Sequence, residues 1–239
     1  VQRTPWWLRL AGLAGAGRTE LGRALFGANA RRPGAEPLDT GRVFLDGDPL
    51  DSRAPRDAIR RGLAYLTEDR KEDGLFLDMS LRANCVATSL QQVTTGAGLI
   101  DEAAIDRVAE ESKVRFNIAT PDLYRRVGNL SGGNQQKVLL AMWTGIPLRT
   151  HGVRLRVLIA DEPTRGVDVG TKGELYRHLR QLAATGVGIL LLSSDLPEIL
   201  GLSDRVLVMR NGRLGAEFSG TQATEEGIVA AASGVEVAQ

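Results

Sequence analysis

Leu8-Arg9-Leu10-Ala11-Gly12-Leu13-Ala14-Gly15-Ala16-Gly17-Arg18-Thr19-Glu20-Leu21 is the stretch that decides the fold. Its short apolar lead, Leu8 to Leu13, runs into closely spaced glycines, and a helical apolar pattern continues from Thr19 to Phe26. Strand, glycine turn and helix in that order make an anion site. The glycines let successive backbone N–H groups turn inward, and the helix adds the positive end of its dipole. Gly12 to Thr19 fits the phosphate-loop pattern at every position except the lysine, which here is Arg18. Thr19 stands where a hydroxyl should ligate Mg2+. Gly12, Ala14, Gly15, Ala16, Gly17, Arg18, Thr19 and Glu20 are the expected nucleotide contacts. Taken alone the loop is a modest signal, because glycine-rich strand-to-helix turns are common. Arginine keeps the charge but replaces a compact ammonium with a wide planar fork. Binding is expected to survive that change better than catalysis.

Outward from the loop, strands and helices alternate. Gly41 to Leu50 reads as a hairpin arm with a turn at Asp46-Gly47-Asp48, Ala58 to Arg61 as a short helix, and Leu63 to Leu66 as a buried strand. From about Phe76 to Trp143 the pattern is mainly helical, clearest in Ile105 to Ser112 and Gln135 to Trp143. Val157 to Ala160 and Gly188 to Leu192 are continuous apolar strands, separated by a helix from Gly170 to Ala184. Pro197 to Leu202 reads as a short helix, and Val206 to Met209 pairs with Arg213-Leu214 through Asn211-Gly212. Continuous apolar strands in such an alternation imply an α/β fold, a parallel sheet covered on both faces. The helical stretch interrupts it.

Two further motifs carry chemistry. Val157-Leu158-Ile159-Ala160-Asp161-Glu162 is an apolar strand ending in two carboxylates. Beside a phosphate loop, Asp161 would hold Mg2+ and Glu162 would orient and deprotonate an attacking water. An isolated acidic pair is more often a solvated strand end; the upstream loop is what shifts the reading. Leu130-Ser131-Gly132-Gly133-Asn134-Gln135-Gln136-Lys137 opens a helix with a serine and two glycines, a second anion site made of amides, a hydroxyl and a dipole. A plain N-cap with flexible glycines is the competing reading.

Composition excludes other classes. The 239 residues carry 30 basic and 29 acidic side chains, net +1, so nothing demands nucleic acid or an anionic membrane. At 43% hydrophobic residues a sizeable core can form. Cys85 is the single cysteine, which rules out an internal disulfide, fits a reducing compartment, and reads as a small buried residue. His151 and His178 are far apart, and no Cys/His cluster has metal-ligand spacing. No apolar run approaches the ~20 residues of a membrane span.

The combined motifs resemble the ATP-binding cassettes of ABC transporters. Gly15 to Leu21, Glu68-Asp69-Arg70-Lys71, Leu130 to Lys137, Asp161 to Gly170 and Ser193-Ser194-Asp195-Leu196-Pro197-Glu198 together look like one group: the C-terminal cassette of bacterial monosaccharide-importer ATPases of the ribose, xylose, galactose and arabinose systems. The resemblance covers roughly Leu10 to Gly234 and implies a P-loop, RecA-like parallel-sheet core. Residues 1–75 and 151–239 would form that core with a partial antiparallel β arm, and 76–150 an inserted helical subdomain. It implies ATP and Mg2+ as cofactors. Glu68 takes the place of the Q-loop glutamine that touches Mg2+, Asp168 that of the D-loop aspartate, and Ser194 that of the switch histidine. Leu130, Ser131, Gly132, Gly133 and Asn134 would act on the nucleotide of a second cassette, fused or separate. The implied partners are permease transmembrane subunits and, indirectly, a sugar-binding protein, with no nucleic acid. The implied location is cytoplasmic, peripheral on the inner face of the plasma membrane.

Three departures meet at one pocket: Arg18, Glu68 and Ser194. The expectation is a cassette that binds ATP but hydrolyses it slowly alone. The alternative is a non-hydrolytic module that completes and regulates a partner's site. A soluble ABC ATPase of DNA repair or translation would favour long coiled-coil insertions or a basic face, and neither appears. Only eleven residues precede Gly12, where a cassette normally has antiparallel strands and an adenine-stacking aromatic. Trp6 or Trp7 could replace that aromatic, although core packing or an altered start, as in a fragment, is preferred. The spacing from Ser131 to Asp161 is longer than usual, with the excess assigned to a surface loop at 145–152.

Overall fold

The computed structural model describes residues 7–28, 42–50, 54–145, 149–150, 153–200, 205–219 and 222–234. In chain order the elements are β1 (Trp7–Gly12), α1 (Arg18–Phe26), β2 (Phe44–Leu45), β3 (Asp48–Pro49), α2 (Pro55–Arg60), β4 (Leu63–Leu66), α3 (Leu81–Val86), α4 (Glu102–Arg115) and α5 (Gly132–Thr144). They continue with β5 (Arg149–Thr150), β6 (Val153–Arg154), β7 (Val157–Asp161), α6 (Val169–Ala184), β8 (Gly188–Leu192), α7 (Leu196–Leu200), β9 (Arg205–Arg210), β10 (Arg213–Ser219) and α8 (Glu225–Ser233). The chain divides into two units, one of residues 1–65, 156–162 and 182–239, the other of 66–155 and 163–181.

A six-stranded sheet in the order β10-β9-β1-β8-β7-β4 organises the first unit. β9, β1, β8 and β7 run parallel, and β10 is antiparallel to β9. The register decides where chemistry can occur. Asp161 at the end of β7 lies level with Leu192, which in turn lies level with Leu10 of β1, so the loop after Gly12 and the carboxylates after Ala160 emerge at the same carboxyl edge. Open parallel sheets bind ligands at that edge. Beneath β1 and β9, Ala11, Ile199, Val206, Val208, Ile228 and Ala232 form a closed apolar cluster that fixes α7 and α8. Asn211 and Gly212 adopt φ 49° and 73°, the left-handed pair of a tight hairpin, as their dipeptide predicts.

Most expected elements are present, with informative differences. α2 starts three residues before the expected Ala58, because Pro55 supplies a preset φ at a position where its missing N–H is not needed. The arm expected at 41–50 is two short strands around the left-handed Asp46-Gly47 turn. Within the 145–152 stretch expected as a surface loop, Arg149 pairs with Arg154 and Thr150 with Val153; 146–148 and 151–152 lie outside the described residues. Trp7 is buried within β1 and lines an apolar cavity of about 350 Å3 with Leu25, Phe44 and Leu63. That is the core-packing outcome; Trp6 is outside the described residues.

In the second unit, α3 packs against both α4 and α5, and Val86, Val93 and Ile105 form a small core. Asp101 caps α4 by accepting from the Ala104 amide. Lys137 on α5 donates to the Asn117 carbonyl at 2.9 Å and pairs with Glu174 of α6. Cys85 is fully buried, as its sequence context implies.

Candidate nucleotide site

The loop after β1 turns as its glycines require. Gly17, at the mouth of α1, has φ 99°, a conformation that side chains with a Cβ rarely adopt. No side chain caps α1, so its first-turn amides keep their anion-binding character. The Gly212 amide donates to the Ala16 carbonyl at 2.9 Å, tying the loop to the β9–β10 turn. Ala16 is buried, Ala14, Gly15 and Glu20 are exposed, and Glu20 stands in the first helical turn, where a carboxylate suits the dipole.

Arg18 does not stand out in solvent. Its guanidinium folds back into the loop, where Nη1 donates to the carbonyls of Gly12 and Leu13, the latter at 3.0 Å. Nη2 pairs with Glu162 Oε1 at 2.9 Å, with the two side chains 9% and 11% exposed. Glu162 itself has φ 44°, an uncommon value for a residue with a Cβ, and its amide donates to the Leu192 carbonyl at 2.8 Å. The left-handed bend after β7 thus brings the candidate water-activating carboxylate to the loop arginine.

Asp161 is completely buried. Thr19 Oγ1 donates to its Oδ1 at 3.1 Å, and Tyr65 donates to its Oδ2 at 2.7 Å. Burial raises the Asp161 pKa, with the two hydrogen bonds opposing. The Tyr65 hydroxyl is likewise pushed up by burial and by the adjacent carboxylate. Among the described residues there is no group of three or more His, Cys, Asp or Glu side chains able to hold a metal ion. A hydroxyl and a carboxylate oxygen side by side are nonetheless the hard donors that suit Mg2+, which keeps several waters and takes its remaining ligands from phosphates.

Ser194 is exposed after β8, whereas its neighbour Ser193 is buried and donates to Glu198. Burial pushes the Glu198 carboxyl up to about 7.

The remaining candidates belong to the second unit. Ser131 caps α5, its Oγ accepting from the Asn134 backbone amide at 3.4 Å and also from Asn134 Nδ2 at 2.9 Å, while Asn134 Oδ1 accepts from the Ala119 amide at 2.8 Å. Leu130 is buried. Gly133 is required by packing: a Cβ there would sit 2.8 Å from Thr171 Oγ1. Asp168 accepts from the Thr171 amide at 3.0 Å and its hydroxyl at 2.7 Å, and these bonds lower its pKa. A Cβ on Gly132 would meet the Arg70 guanidinium at 2.8 Å, and Arg70 in turn donates to the Arg165 carbonyl at 3.1 Å. Glu68 is ion-paired with Arg165. Sequence reasoning singled out neither Tyr65 nor Arg165; a tyrosine in an otherwise aliphatic buried strand, ninety-six residues from its partner, was the available signal for the first.

A parallel sheet whose first strand feeds a glycine loop and helix, with a carboxylate two strands away hydrogen-bonded to the loop threonine, defines a P-loop nucleotide-binding protein. Residues 4–165 match the family described as ABC transporter, and the chain belongs to that family. It is 50% identical over 225 residues to the ribose import ATP-binding protein RbsA 1 of Streptomyces coelicolor and 47% over 228 residues to RbsA 3 of Rubrobacter xylanophilus. It is 45% identical over 227 residues to a putative ribose/galactose/methyl galactoside import ATP-binding protein of Agrobacterium fabrum. These alignments cover 94–95% of the chain but 42–43% of each relative, so the chain spans less than half their length. Among solved structures, a nucleotide-free ATP-binding cassette from an ABC transporter aligns with TM-score 0.69 at 22% identity, covering 97% of this chain and 85% of that one. An ATP-bound bacterial Atm1-family exporter aligns at TM-score 0.65, also at 22% identity, covering 91% of this chain and 34% of the exporter. Both show the fold. No helix among the described residues is long and apolar enough to cross a membrane.

Proposed function

We propose that the chain is the second, degenerate ATP-binding cassette of a sugar importer, binding Mg-ATP at a cassette dimer interface and hydrolysing it slowly on its own. The observation that carries this reading is the Arg18–Glu162 pair: the loop cation that should meet phosphate is held by the carboxylate that should activate water. The ribose and galactose import proteins among its relatives support the substrate class, and their greater length leaves room for another cassette.

In this reading the loop from Gly12 to Thr19 and the start of α1 cradle the phosphates, and Thr19 with Asp161 would hold Mg2+. The ion, when bound, offsets charge on the β- and γ-phosphates. Glu162 takes the proton of the attacking water, which it can do only after releasing Arg18. Glu68 stands at the Q-loop position and Ser194 at the switch position. Asp168 communicates across the dimer, and Leu130 to Asn134 complete the partner cassette's pocket. Residues 76–150 form the signature subdomain facing a permease, which keeps the protein at the inner face of the membrane. A sugar-binding protein acts through that permease, and nucleic acid has no part.

The second reading, a non-hydrolytic module that completes and regulates a partner's site, is favoured by the same ion pair and by the exposed serine at position 194. Restoring the usual residues together (Arg18→Lys, Glu68→Gln, Ser194→His) separates the two. A rise in isolated turnover of tenfold or more supports a silenced hydrolase, whereas tight nucleotide binding with no gain supports the module. Failure of the unmodified chain to bind ATP would overturn both.

A further inference from the structure

We propose that Tyr65 is a positioning residue for the divalent cation, holding the Asp161 carboxylate in the one orientation that leaves Oδ1 beside Thr19. This rests on the reading of Thr19 and Asp161 as the Mg2+-holding pair. Asp161 is wholly buried, and both of its oxygens are engaged, Oδ1 by Thr19 at 3.1 Å and Oδ2 by Tyr65 at 2.7 Å. Tyr65 has one hydroxyl proton to give, and a carboxylate oxygen accepts rather than donates, so that proton is committed to Oδ2 of Asp161. Phe26 stacks on the Tyr65 ring at 5.4 Å between centroids and 22° between planes, which locks the ring against rotation.

Tyr65 and Thr19 thus converge on the two oxygens of one carboxylate. Hydrogen bonds that orient a metal-ligating carboxylate characteristically govern metal affinity about 10- to 100-fold. A tyrosine kept only for packing would have no need of a hydroxyl. Here the hydroxyl sits in a buried strand, 7% exposed, aimed at the buried acid.

Tyr65→Phe keeps the ring and its stacking and removes only the bond to Oδ2. The test is titration of Mg2+ into the protein with a fluorescent ATP analogue, following nucleotide affinity, with a parallel measurement in EDTA. The variant is expected to need roughly tenfold more Mg2+ for the half-maximal effect, with metal-free affinity close to wild type. An equal Mg2+ midpoint in the two proteins, within twofold, overturns the role of Tyr65 while leaving the nucleotide site standing. Loss of affinity to the same degree with and without Mg2+ also overturns it, since that is what damaged packing would give. An unmodified chain that binds no nucleotide overturns the underlying reading, and this one with it.

Discussion

Breaking the Arg18–Glu162 pair in nucleotide-free protein should destabilise the first unit, and the two partners should be strongly coupled. At 2.9 Å the gross attraction between unit charges is about 6 kcal/mol with an effective dielectric constant near 20. Desolvation of two side chains only 9% and 11% exposed offsets most of it. Arg18→Met leaves a buried carboxylate without its cation and forfeits the bonds to Gly12 and Leu13, a loss of about 3 kcal/mol. Glu162→Gln keeps an acceptor oxygen for Nη2 but no charge, and costs about 1–2 kcal/mol. The double variant buries neither charge, so it should lose about 2 kcal/mol less than the sum of the singles. Urea unfolding followed by tryptophan emission reports this directly, because Trp7 lies in the strand that feeds the loop. Additivity within about 0.5 kcal/mol would refute the coupling, and with it the claim that the loop arginine is held by the glutamate.

Three other outcomes follow from particular contacts. Gly133→Ala should lower the stability of the second unit by about 1–2 kcal/mol, because the new Cβ would lie 2.8 Å from Thr171 Oγ1 and 3.3 Å from Asp168 Oδ2; an unchanged unfolding midpoint would contradict it. Glu198 binds a proton more tightly folded, at about 7, than unfolded, near 4.5, so its contribution is fully present below pH 4.5 and is lost as pH rises through 7. Glu198→Gln should flatten this slope and be the more stable protein at pH 8, by on the order of 2–3 kcal/mol, as read from denaturation midpoints between pH 5 and 8; parallel curves would sink the assignment. Cys85, buried with its thiol pushed up to about 12, should resist iodoacetamide at pH 8 until urea unfolds the protein, as intact mass will report.

The fold was largely legible in the sequence because continuous apolar runs and glycine punctuation are local signals. β7, β8 and the Asn211-Gly212 hairpin follow from a few adjacent residues. The start of α2 is set by Pro55, a first-turn residue that the apolar pattern does not mark. The site was legible in its motifs and illegible in its pairings. Arg18 and Glu162 are 144 residues apart, and nothing local foretells that a left-handed bend at Glu162 brings them together. The motif marks Glu68 as a nucleotide contact, but its ion pair with Arg165 depends on where the chain lies after β7. Gly133 illustrates a mixed case: its place in a helix-opening anion motif was evident, whereas the close approach of Thr171 that requires glycine was not.

If the pocket binds ATP while its own arginine holds the candidate water-activating carboxylate, the purified chain releases phosphate slowly even when saturation by a fluorescent ATP analogue is confirmed in the same sample. Saturable Mg2+-dependent binding with release at least tenfold below the ~10 s⁻¹ median for enzymes is the predicted result. Turnover of several per second by the unmodified chain would contradict it.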